Sequence, residues 1–166
     1  MNGGYEIVLW ALLAIATCTD LLWGKIFNAL TLPFILGGIL CRFYFDGSTS
    51  AAIGIGAVVI AFALFFPLYL IKTLAAADVK LLMAVGAWSD TKLVIQIGIA
   101  SILIGAVVGG YILLRKNGFR QSFKSVKDHA REKSEGLKSL KMPFGPAFLC
   151  AFALLRIAEL KGWNLI

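Results

Sequence analysis

An all-α membrane protein, a polytopic bundle of about six transmembrane helices, is the fold class this sequence predicts. Three observations carry it. Apolar residues make up 60% of the chain and charged residues only 15%, against about 45–50% and about 25% in soluble domains. Several apolar runs approach the ~20 residues that cross ~30 Å of hydrocarbon. The basic residues are not scattered: nine of the sixteen Lys and Arg lie between Arg115 and Lys141, and most others stand singly near the ends of apolar runs.

Six segments follow, at 5–22, 29–45, 51–71, 74–88, 92–114 and 143–160. The first has no basic stretch before it, which argues for a permanent helix rather than a cleaved signal peptide. The second is short, and the third follows the turn-like Asp46-Gly47-Ser48. The fourth carries Asp78 and Lys80 and spans only about 22 Å at 1.5 Å per residue, so Asp78 is expected near one interface. Gly105, Ala106, Gly109 and Gly110 give the fifth a small face for close helix packing. No internal repeat is evident, and residues 1–166 read as a single membrane-embedded domain.

The net charge of +7 raises nucleic acid as a partner, and the placement of the charges argues against it. They follow the positive-inside pattern and suit anionic lipid. With the N-terminus outside, twelve Lys and Arg fall on the cytoplasmic side and four on the outer side, which favours both termini outside. The polar segment 115–141 is then a basic cytoplasmic loop. It is expected to be a solvated anchor of topology, or an amphipathic helix with Phe119, Phe123 and Val126 inward. His129 in this loop reads as solvated. Cys18, Cys41 and Cys150 form no C-x-x-C pair and are expected as small buried hydrophobes.

The same topology brings Asp20, at the end of the first helix, and Asp78, at the start of the fourth, to one membrane depth. A carboxylate at the edge of hydrocarbon costs at least about 2.5–3.5 kcal/mol on insertion scales. Position alone allows each to be a helix cap, or a partner of Lys25 or Lys80. Both are explained at once if they work as a pair. Two facing aspartates in a desolvated site share one proton. The ionised member takes a proton from water, the protonated member polarises a scissile carbonyl, and the water attacks. No metal or organic cofactor is needed. Ser48, Ser50, Ser89 and Ser101 have no plausible histidine partner in the membrane, and H-E-x-x-H is absent.

Three stretches carry a family resemblance. Asp20-Leu21-Leu22-Trp23-Gly24-Lys25-Ile26-Phe27-Asn28-Ala29-Leu30 resembles the first motif of type IV prepilin peptidases: an Asp at a helix end, a basic residue, then Ile-Pro-Asn-x-Leu. Ala75-Ala76-Ala77-Asp78-Val79-Lys80-Leu81 resembles the second, Gly-x-Gly-Asp-x-Lys-Leu. Met142-Pro143-Phe144-Gly145-Pro146-Ala147 resembles the Pro-x-Gly-Pro-Ala that opens the last helix. Order and spacing agree over nearly the whole chain.

The resemblance implies an aspartic endopeptidase of the bacterial inner membrane, with Asp20 and Asp78 catalytic. Lys25, Asn28, Ala75, Ala77, Lys80, Pro143, Gly145 and Pro146 are implied to support the site or bind substrate. Prepilins or pseudopilins are the implied substrates, cut after a basic leader at the cytoplasmic face. The short form resembles the enzymes of tight-adherence (Flp) pili. The longer form, with an N-terminal domain of paired C-x-x-C motifs, also methylates the new terminus, and methyl transfer is not expected here. The sequence departs from the motifs in three places. Ala75 and Ala77 replace both glycines, narrowing or tuning the site, and Phe27 replaces the proline. Lys80 would contact lipid phosphate or tune Asp78, and Asn28 would cap the second helix or hydrogen-bond near the site. The alternatives are a non-enzymatic membrane component whose acidic pair binds an ion or proton, and a presenilin-like protease. The latter usually has a Tyr-Asp pair, where Asp20 follows Thr19.

Overall fold

The computed structural model describes residues 3–71, 73–116 and 144–161. Among these it contains five helices and no strand: α1 (Gly3–Trp23), α2 (Asn28–Leu70), α3 (Ala76–Trp88), α4 (Thr91–Lys116) and α5 (Gly145–Leu160). The basic loop beyond Lys116, with His129 and the three apolar positions expected of its helix, lies outside the described residues, as does Pro143.

Helix α1 ends where Gly24 turns left-handed (φ 59°) and donates its N–H to the Asp20 carbonyl at 2.8 Å, the usual glycine stop after a helix. Asp20 therefore sits in the last turn. Phe27 then caps α2 from an extended conformation. Helix α2 is broken at Gly47, whose φ of 87° and ψ of 175° fall in a region essentially closed to side-chain-bearing residues. The arms 28–46 and 48–70 fold back on one another. Gly38 in the first and Gly54 in the second both press on Ala87 of α3, although a straight helix would hold them about 24 Å apart. The expected turn at Asp46–Ser48 is thus a corner one residue wide, with helix on both sides.

Helix α3 lies in the cleft of this hairpin. A methyl group on Gly38 would stand 2.8 Å from Ala87 Cβ, and one on Gly86 would stand 3.1 Å from the Ala57 carbonyl. The lack of side chains there is what lets three backbones meet. Val79, Leu81, Leu82, Ala84, Val85 and Ala87 are all buried, as suits a helix apolar all round. Helix α4 packs on the second arm, with the Phe65 ring on Gly98, and the Phe144 ring lies over Gly105. The expected small face of α4 is used at Gly105, whereas Gly110 meets nothing within 4 Å. Helix α5 closes against α1 through Trp10 and Phe152, edge to face at 4.8 Å.

The outer surface is apolar. Leu22, Tyr44, Phe45 and Val107 are among many large side chains left exposed, far beyond what a water-soluble monomer shows. The all-α membrane class holds, but the count of six spans does not. Among the described residues three helices are long and apolar enough to cross a membrane: α1, α2 with its two folded-back arms, and α4. With 13 and 16 residues, α3 and α5 reach only about 20 and 24 Å. The cysteine expectation also needs correction. Cys18 and Cys150 are exposed free thiols and Cys41 is half-buried, because lipid-facing positions accept a small apolar side chain as readily as a core does.

Candidate active site

Asp20 and Asp78 come to the same end of the bundle. Asp20 lies one turn before the short link to α2, whose first residue, Asn28, accepts a hydrogen bond from Lys80 Nζ at 3.0 Å. Lys80 is two residues beyond Asp78 in the first turns of α3. Both carboxylates are buried, at 9% and 3% exposure.

Each carboxylate is held by one backbone amide. Asp20 Oδ2 accepts the N–H of Gly145 at 2.7 Å. Asp78 Oδ2 accepts the N–H of Ala75 at 3.0 Å, reaching back to cap its own helix. Within the described residues these bonds engage only Oδ2 of each aspartate, so one oxygen of each carboxyl is left for water or substrate.

The surroundings of Asp20 come from α5. An aspartate in the last turn of α1 faces the negative end of that helix's dipole. The N-terminus of α5 offsets this: Pro146 stands in its first turn, and Gly145 offers an amide that no helical carbonyl could accept. A methyl group at Gly145 would lie 3.0 Å from both Asp20 Cβ and Thr17 Cα. The third motif therefore contacts Asp20 directly. Thr17, one turn before Asp20, has its one hydroxyl proton between two carbonyls, that of Leu13 at 2.7 Å and that of Gly145 at 3.0 Å, a shared three-centre contact. Sequence reasoning assigned Thr17 no role. Its only signal was the spacing of three that sets it on the same face of α1 as Asp20.

The ion pairs allowed by position alone do not form. Lys25 is exposed, and among the described residues neither aspartate has a salt bridge. Lys80 holds Asn28 instead of Asp78, and Asn28 makes no side-chain cap on α2. Ala75 takes φ −80° and ψ 153°, ordinary extended backbone, so its methyl is unstrained. Ala75 is exposed and Ala77 half-buried. Phe27, at φ −77°, adopts the geometry a proline would impose. Among the described residues no group of three or more His, Cys, Asp or Glu is placed to hold a metal ion.

An all-helical membrane bundle with two buried aspartates at one end is the class that fold and site define. The family model of the type IV leader peptidase family matches residues 7–110, a stretch that includes both aspartates and ends before the third motif. The chain belongs to this family, and is accordingly a membrane-embedded peptidase with a leader-peptidase role. No curated protein and no solved structure gives a significant match.

Proposed function

We propose that the chain is an aspartic endopeptidase in which Asp20 and Asp78 activate water against the peptide bond that joins a basic leader to the apolar helix of a prepilin or pseudopilin. The observation that carries this reading is the pair itself: two buried carboxylates from separate helices, each held at one oxygen by a backbone amide and each with the other oxygen uncommitted. In a desolvated site two such groups hold a proton between them. One serves as base to water and the other as donor to the carbonyl oxygen. The substrate must be locally unwound at the cut, since a helical peptide bond is shielded by its own hydrogen bonds. Lys25, Asn28, Ala75, Ala77, Lys80, Pro143, Gly145 and Pro146 support the site or the substrate.

The positive-inside distribution of Lys and Arg supports a site facing the cytoplasm from a bacterial inner membrane, with anionic lipid around the basic loop. Co-expression with a type IV prepilin tests the proposal. Asp20→Ala and Asp78→Ala should each insert normally and abolish leader removal. Leader removal that persists in both single variants, with purified protein, overturns it.

A further inference from the structure

We propose that Thr17 is a positioning residue for the reaction, its hydroxyl holding the carbonyl side of Gly145, the first residue of α5, so that the Gly145 amide stays on Asp20. The inference rests on the reading of Asp20 given above. Thr17 and Asp20 are three residues apart on one face of α1, and both are buried. Together they take hold of both polar ends of a single residue. Asp20 Oδ2 accepts the Gly145 N–H at 2.7 Å, and the Thr17 hydroxyl reaches the Gly145 carbonyl at 3.0 Å.

The same proton is shared with the Leu13 carbonyl at 2.7 Å, so the hydroxyl lies between the preceding turn of its own helix and Gly145 and its rotation is limited. The absence of a side chain on Gly145 brings α5 close enough for both contacts. The two-point hold matters because one amide bond leaves residue 145 free to pivot about the Asp20 oxygen. A second bond on the carbonyl side removes that freedom. Asp20 is then presented to water in one orientation, and a reacting group misplaced by a fraction of an ångström loses rate without losing substrate affinity.

The test uses the purified full chain in detergent and a peptide carrying a basic leader followed by an apolar segment. Thr17→Val keeps the shape of the side chain and removes the hydroxyl. It should lower kcat on the order of tenfold, with KM unchanged. Thr17→Ser restores the hydroxyl and should recover most of the rate. If the valine variant does not fold, Thr17→Ala carries the same expectation. Wild-type kcat in the hydroxyl-free variants overturns the proposal. So does a loss that serine fails to rescue, or one that falls on KM alone. Asp20→Asn and Asp78→Asn in the same assay separate the two readings. If they still cleave, the aspartic mechanism fails. If they are inactive while Thr17→Val is normal, only the role of Thr17 fails.

Discussion

The contact between Gly145 and α1 leaves no room for a methyl group. Two of the atoms it would meet, Thr17 Cα and Asp20 Cβ, are fixed to the α1 backbone and cannot swing aside. Gly145→Ala must therefore push the start of α5 away from Asp20 and loosen the 2.7 Å bond. Overpacking of this kind costs about 1–3 kcal/mol. The expected outcome is slower cleavage together with a lower unfolding temperature in detergent. Unchanged cleavage would show that the amide is not needed on Asp20. The motif alanines behave differently. Because Ala75 is unstrained and Ala77 is already helical, restoring glycine at Ala77 releases nothing. Ala77→Gly should cost up to about 0.5–1 kcal/mol and leave the cleavage rate no higher, as thermal unfolding and the peptide assay would show.

At the scale of elements, the break in α2 depends on one residue. A side chain at Gly47, held at φ 87° and ψ 175°, costs of order 1–3 kcal/mol. Gly47→Ala should lower thermal stability by that order while Gly56→Ala, at a position with nothing within 4 Å, should not. The corner was legible in the sequence because Asp46-Gly47-Ser48 interrupts an apolar run. The place of α3 between the two arms was not. In a bilayer the tails are as apolar as leucine, so a helix facing lipid and one enclosed by other helices have the same composition. That same ambiguity makes a count of spans from apolar runs unsafe, and α3 and α5 were counted as crossing helices for this reason. The two aspartates were legible because charge is costly in such surroundings. Their bond to Gly145 was not, since its partners are 125 residues apart and a glycine carries no chemical sign of what approaches it.

Across the whole molecule, polar groups gather at two ends about 20 Å apart, the length of α3. Asp20 and Asp78 occupy one end. At the other, Arg42 is buried and ties three segments together. It donates to the Ser89 carbonyl at 2.7 Å and the Ser50 hydroxyl at 3.2 Å, and pairs with Asp90 at 3.1 Å. Sequence reasoning saw Arg42 only as one outer-side charge in a topology count, because nothing in an isolated arginine tells whether it faces water or a carbonyl. Its three contacts join the Gly47 corner to the turn between α3 and α4. Removing the guanidinium by Arg42→Met leaves the Ser89 carbonyl without this donor, at a cost of about 1–3 kcal/mol. The Asp90 side chain is 59% exposed, so its share of the pair is screened and small. Asp90→Asn should therefore shift the unfolding temperature much less than Arg42→Met. Neither should change kcat per folded molecule, because the damage lies a bundle's length from the aspartates. An active-site titration beside the melting curve checks this. A fall in kcat at full occupancy in Arg42→Met would mean that the corner and the aspartates are mechanically joined through α3, which runs from one end to the other.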